Sequence, residues 1–163
     1  HDLPGEEANE LARLAHGRYG LALRMHADPS LRVLQETATA ELRRLSRAGR
    51  NERFDYADQL ARSWHRERDS VLSTLDVWRS WWRDVLGASA GAGAATPVSA
   101  VREDAALCSP AQALRALRGT QRARDHLLQN TNAQLALEVM MLDLPVLPEL
   151  EREEVREPVE ARS

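Results

Sequence analysis

The side chains that most often bind metals or carry out catalysis are few and scattered in this sequence. None of the five histidines forms an HxxxH or HExxH pair, the spacing that places two ligands on one helix face. They are His1, His16, His26, His65 and His126. Cys108 is the only cysteine, which excludes an intrachain disulfide and a cysteine-based metal cluster. We therefore expect no metal site and interpret the histidines as surface residues.

Motifs for nucleophilic catalysis and for phosphate binding are also missing. The sequence contains no GxSxG turn for a serine nucleophile. It contains no lysine, so a GxxxxGK[ST] phosphate loop cannot form within it. Two pairs of carboxylates, at positions 6–7 and 153–154, are interpreted as charge at a helix N-terminus and as part of a solvated tail. We expect no active site and no cofactor in this chain.

Two groups of arginines are the remaining candidates for chemistry, here contact with phosphate. One surrounds a predicted turn between helices: Arg43, Arg44, Arg47, Arg50 and Arg53. The other follows one predicted helix: Arg115, Arg118, Arg122 and Arg124. Phosphate contacts would give a salt-dependent affinity for nucleic acid. A solvated face with interspersed carboxylates is the favoured interpretation, because no aromatic residues are interleaved to stack on bases.

The charge is uneven along the chain. Residues 145–163 hold six glutamates and three arginines, a net charge of −3, which leaves 19 acidic residues and 19 arginines in residues 1–144. With three prolines and few large apolar residues, the segment 145–163 is predicted to be a disordered acidic tail. The single cysteine favours a cytoplasmic location. The acidic first residues also show no apolar run of the kind found in a secretory signal.

The elements that would position these residues are helices. Apolar residues recur at spacings of three and four, and strand signals are nearly absent. The pattern predicts an all-α bundle of about five helices over residues 28–144, preceded by two short helices. Asp28 and Ser109, each followed by proline, are predicted N-caps, and Asn130 or Asn132 is predicted to cap the last helix. The Gly- and Ala-rich residues 87–100 are predicted to be a flexible connection.

A tryptophan-rich helix is predicted over about residues 70–86. Its apolar residues cover an arc of roughly 220°, about twice what one core-facing stripe needs. The helix is therefore either central in the bundle or also faces a partner. Trp78 and Trp82 are explained by core packing, whereas Trp81, at the edge of the arc, is a candidate for a subunit interface. The predicted interface set is Trp78, Trp81, Trp82 and Val85.

The last helix is apolar nearly all round. Its sequence is AQLALEVMMLDL, and Pro145 is expected to end it. A helix without a polar face belongs in the interior, so this one is predicted to be the buried centre of the bundle.

Three stretches together resemble the subunits of the bacterial DNA polymerase III clamp loader. Residues 127–145, LLQNTNAQLALEVMMLDLP, look like the end of the collar domain of that family. The matching positions are Asn130, Asn132, Leu135, Ala136, Leu137 and Glu138. Residues 75–86, LDVWRSWWRDVL, resemble the Trp-rich collar helix of the delta-prime subunit in particular, and residues 11–23, LARLAHGRYGLAL, resemble the end of the AAA+ lid.

One departure from the family pattern distinguishes its members. ATP-hydrolysing relatives carry G-x-x-R-x-A-L, and with Gly17 as its start the arginine position is occupied here by Gly20. Arg18 lies two residues earlier, which on a helix points about 200° away. The resemblance therefore favours the delta-prime subunit, a structural stator, over the ATP-binding tau/gamma subunit.

The resemblance implies a domain plan and a function. Residues 1–27 would be the end of an AAA+ lid, residues 28–144 the collar or oligomerisation domain, and residues 145–163 the tail. The collar would assemble with the delta and tau/gamma subunits into the ring that loads the sliding clamp during DNA replication. Contact with the clamp and with primer–template DNA would come only through the full assembly. The alternatives are a tau/gamma collar and a helical nucleic-acid-binding regulator.

Overall fold

Six α-helices follow one another in the part of the chain that the structure, a computed structural model, describes: residue 9 and residues 25–91 and 99–148. They are α1 (Pro29–Leu45), α2 (Arg50–Trp64), α3 (Arg68–Ser89), α4 (Ser99–Leu107), α5 (Pro110–Leu128) and α6 (Ala133–Asp143). The predicted all-α class is confirmed, with one helix more than expected after residue 28. The predicted lid lies outside the described residues except for residues 9 and 25–27.

Two of the predicted helix starts are confirmed in detail. The Asp28 carboxylate accepts hydrogen bonds from the Ser30 hydroxyl at 2.7 Å and from the Ser30 backbone N–H at 2.9 Å, and these bonds lower the pKa of Asp28. At α5 the Ser109 hydroxyl accepts from the N–H of Gln112, and the Gln112 side chain accepts from the N–H of Ser109. Both caps satisfy N–H groups that have no partner within their own helix.

The prediction of a flexible connection over residues 87–100 is wrong at both ends of that stretch, whereas residues 92–98 lie outside the described residues. At one end of that stretch α3 continues to Ser89, and at the other α4 begins at Ser99. Val101, Asp104 and Cys108 are buried at spacings of three and four, which places them on one helix face. The helix is held by tertiary contacts of that face, and the sequence pattern alone was too short to reveal it.

Helix α3 is the centre of the bundle. It packs against α1, α2, α4 and α5, and Leu75, Trp78 and Trp82 on it are fully buried. The Trp78 indole Nε1 donates a 2.8 Å hydrogen bond to the carbonyl of Ala38 on α1, and the Tyr56 ring on α2 stacks on it with centroids 5.9 Å apart. The apolar residues of α3 cover a wide arc because this helix has neighbouring helices on several sides.

The first residues of the predicted acidic tail are part of the fold. Helix α6 ends at Asp143, and residues 145–148 run back towards the end of α1. Leu147 is buried, and its N–H donates a 2.8 Å hydrogen bond to the carbonyl of Ser46. The predicted disorder is therefore wrong for residues 145–148, because Pro145 and Leu147 bury their side chains against the bundle. Residues 149–163 lie outside the described residues.

Candidate interaction surface

Asn130 and Asn132 form the turn into α6. Asn130 adopts φ 55°, the only positive φ among the described non-glycine residues, and asparagine tolerates this region better than most residues. The Asn132 side chain then accepts a 3.1 Å hydrogen bond from the N–H of Leu135. Of the two predicted caps, Asn132 is therefore the one that caps α6, and Asn130 makes the turn.

Helix α6 buries one face and exposes the other. The buried residues are Ala133, Ala136, Leu137, Met140 and Met141. Leu135, Val139 and Leu142 are 58%, 46% and 47% exposed. The prediction that α6 is buried all round is wrong, because it packs against α5 and α2 and the structure places no third element on its remaining side within the described residues.

The exposed residues form a continuous apolar stripe, here called the α6 stripe: Leu135, Val139 and Leu142. Their spacing of four and three places them in one row along the helix. Glu138 lies beside the stripe, half-buried, and its carboxylate accepts a 3.0 Å hydrogen bond from the Gln134 side chain. Contiguous exposed apolar surface of this kind is typical of interaction sites.

A groove of about 280 Å³ runs between the stripe and α5. Its apolar lining includes Ala123, Leu135, Val139 and Met140. The two helices approach closely at Gly119, where an added Cβ would lie 2.7 Å from the Cβ of Asp143. The groove is thus shaped by a glycine on α5 and by small and flexible residues on both helices.

A basic wall on α5 borders the groove, and of its arginines Arg122 is the one that lines the groove itself. Arg115 Nε and Arg122 Nη2 bind the Asp143 carboxylate at 2.8 and 2.7 Å, and both arginines remain more than half exposed. Arg118 lies on α5 between them, exposed, and has no carboxylate partner within the described residues. The wall thus carries three guanidinium groups and one carboxylate, which is largely buried, so its net charge is positive. The sequence predicted the row of arginines on one helix but not their pairing with Asp143, which lies more than 20 residues from Arg115 and Arg122 along the chain.

The arginines around the α1–α2 turn are used by the fold itself. Arg43 and Arg47 bind the buried Asp104 carboxylate at 3.2 and 2.7 Å, and Arg44 binds Glu41 at 2.9 Å. The favoured interpretation as a solvated face is therefore wrong for Arg43 and Arg47. The alternative interpretation, contact with phosphate, also no longer applies to Arg43 and Arg47, because their charge is already paired with that of Asp104.

Arg53 departs most from expectation, since it is only 6% exposed. Its guanidinium donates to backbone carbonyls and not to a carboxylate, and burial lowers its pKa. The acceptors are Leu45, Ser46, Met141, Leu144 and Pro145. The sequence held a signal for this burial, because Arg53 lies four and seven residues before Ala57 and Leu60, on the apolar face of α2.

The predicted tryptophan interface is not at the surface. Trp78, Trp81, Trp82 and Val85 are each at most 2% exposed within the single chain, and the Arg43 guanidinium lies over the Trp81 ring at 5.8 Å from its centroid. Placing Trp81 at an interface is corrected, because its side chain is buried within the single chain and the Arg43 guanidinium lies over its ring. On α6, in contrast, Leu135, Val139 and Leu142 are exposed.

The described part of the chain contains no cluster of metal-ligating side chains. No group of three His, Cys, Asp or Glu side chains there could hold a metal ion. His26, His65 and His126 are exposed, whereas His1 and His16 lie outside the described residues. Cys108 is buried, and burial together with the charge of Asp104 raises the pKa of its thiol to about 11.

The comparisons with known proteins assign this chain to no family. A scan against protein-family models, a search of curated proteins and a search of solved structures each found no match. Among the described residues, no helix combines the length and the apolar character that crossing a membrane requires.

Proposed function

We propose that this chain is the collar of a structural, delta-prime-type subunit of the bacterial DNA polymerase III clamp loader, a cytoplasmic assembly. In this role it packs beside the delta and tau/gamma collars in the ring that holds the clamp-loading ATPase together. The observation that carries the proposal is the α6 stripe. The helix whose sequence resembles the family motif is also the one that leaves an apolar row uncovered.

The stripe is suited to packing against another helix. Leu135, Val139 and Leu142 form a ridge of the i, i+4, i+7 type, which fits into the groove between two rows of side chains on a neighbouring helix. The described part of the chain offers nothing to cover it. The interface therefore lies on α6 and not on the tryptophans, whose contribution is the rigid core behind it.

The test is assembly with the other subunits. We expect the full chain, mixed with delta and tau/gamma, to form a complex detected by light scattering after size exclusion. The double variant Leu135→Glu/Val139→Glu should weaken assembly by at least about tenfold, because two apolar contacts of the interface become charged. The matched control is Val33→Glu on α1, which changes a residue that is 61% exposed and lies outside the stripe.

Two results would contradict the proposal. One is the absence of a complex with the unmodified chain at micromolar concentration. The other is equal assembly by the double variant and the control. A steeply salt-dependent affinity of the chain for DNA would instead favour the nucleic-acid-binding regulator.

A further inference from the structure

The groove between α5 and α6 combines an apolar floor with one charged wall. The floor is made by Ala123, Ala136 and Met140, and the α6 stripe borders it on the open side. The wall borders the groove and carries Arg115, Arg118 and Arg122, of which Arg122 lines the groove itself. Within the described residues, Asp143 is the carboxylate that pairs with Arg115 and Arg122. An occupant that fits this groove carries negative charge on one side and a few apolar side chains on the other.

The chain contains a segment of that chemistry directly after the described fold. Residues 149–163, ELEREEVREPVEARS, hold six glutamates against three arginines, a net charge of −3. Leu150, Val155 and Val159 are its larger apolar residues. The segment is called the acidic segment below. Its charge is opposite to that of the arginine wall.

The acidic segment starts close enough to reach the groove. Pro148 is five residues beyond Asp143, so the two lie within about 18 Å of each other, and Asp143 itself belongs to the arginine wall. Fifteen extended residues span up to about 50 Å, whereas the eleven residues of α6 are about 16 Å long. Because the segment is tethered by Leu147 to the end of α1, its effective concentration at the groove is in the millimolar range.

We propose that the acidic segment docks in the α5–α6 groove of the same chain. Its glutamates lie against Arg115, Arg118 and Arg122, and its apolar residues cover part of the α6 stripe. A second copy of the chain fits this groove less well. In a two-fold contact through this patch the arginine walls of the two copies approach each other, and their positive charges repel. Docking itself needs no other protein. Its consequence, that a partner subunit must displace the segment to reach the stripe, rests on the proposed function.

The experiment uses the full chain with a nitroxide label on the acidic segment. Ala161→Cys is labelled in a Cys108→Ala background, and relaxation of backbone amides is measured by NMR. We expect selective broadening at Ala123, Leu135 and Val139 at low salt. The broadening should largely disappear at about 0.5 M NaCl, where exposed charges are screened.

A matched pair of charge reversals tests the arginine wall. Arg118→Glu should reduce the broadening severalfold, because Arg118 is exposed and unpaired within the described residues. Arg102→Glu makes the same change on α4, away from the groove, and should leave the broadening unchanged. Neither side chain is buried, so both variants are expected to fold.

Three results would overturn the proposal. The first is an absence of broadening in the groove, and the second is broadening spread evenly over the surface. The third is broadening that passes from a spin-labelled, unenriched chain to an isotope-enriched, unlabelled one, which would place a second copy in the groove. All three are measured without any other subunit, so they are distinguishable from a failure of the clamp-loader assembly.

Discussion

The guanidinium of Arg53 donates a 2.7 Å hydrogen bond to the carbonyl of Pro145, 92 residues further along the chain. Its other bonds go to carbonyls at the C-terminal ends of α1 and α6. A helix provides no N–H group of its own to bond the carbonyls of its last turn. The negative ends of two helix dipoles therefore converge on one buried cation. Through this residue the first turn of α2 fixes where α1 and α6 end.

Replacing Arg53 should be among the most destabilising single changes in the chain. Arg53→Met keeps much of the side-chain volume but leaves buried carbonyls without donors, which should cost at least about 3 kcal/mol of unfolding free energy. Urea unfolding followed by circular dichroism measures this loss. The control is Arg50→Met in the same helical turn, where the side chain is exposed and a change within about 0.5 kcal/mol is expected. Equal effects of the two variants would contradict the role assigned to Arg53.

Gly119 and Gly87 should respond in opposite directions to the same substitution. Alanine in a helix is ordinarily more stable than glycine by up to about 1 kcal/mol, and this gain is expected for Gly87→Ala, where an added Cβ meets nothing within 4 Å. At Gly119 the added Cβ would lie 2.7 Å from the Cβ of Asp143, so α5 and α6 must separate. A net loss of about 1–3 kcal/mol is expected for Gly119→Ala. Thermal unfolding of both variants checks the sign, and stabilisation by Gly119→Ala would refute the close approach.

The buried Asp104 carboxylate should be needed to hold α4 on α1. Asp104→Asn leaves the partly buried Arg47 without its anion and Arg43 with only the exposed Glu103, which should cost about 3 kcal/mol in a urea titration. The same change should lower the pKa of the Cys108 thiol, because the charge of Asp104 contributes to raising it. Thiolate absorbance in the ultraviolet reads that pKa. Glu103→Gln, which removes an exposed partner of Arg43, is the control and should change stability little.

The free energy of unfolding should fall as the pH rises above about 9. Burial raises the pKa of Cys108 from its ordinary value of 9.0 to about 11, and burial raises that of Tyr56 from 10.0 to about 12. Both groups are neutral when protonated, so the folded chain holds these protons more tightly than the unfolded chain does. The stability linked to them is complete below about pH 9 and is lost as the pH approaches 12. Urea titrations across this range, repeated on Cys108→Ala and Tyr56→Phe, should show shallower slopes in the variants. A pH-independent stability would disprove the linkage.

Local features of the sequence were enough to locate most helices and their starts. Asp28 and Ser109 cap helices because a side-chain oxygen two or three residues before a backbone N–H needs nothing from the rest of the fold. The face of α2 formed by Ala57, Leu60 and Trp64 is buried as its spacing predicts. These features are fixed within a few residues of chain, where propensity and periodicity act directly.

Only the tertiary structure decided which helix faces are covered and which charged side chains form ion pairs or buried hydrogen bonds. Leu135 and Leu137 belong to the same apolar helix, yet Leu137 is buried and Leu135 is exposed. The reason is that, within the described residues, α6 packs against only two helices, α5 and α2, and two neighbours cannot cover all sides of a helix. Arg53 and Arg50 are alike in sequence, yet one is buried among carbonyls that lie as many as 92 residues away. Burial and hydrogen bonding between distant segments depend on how the helices pack, and a pattern read along one helix does not contain that information.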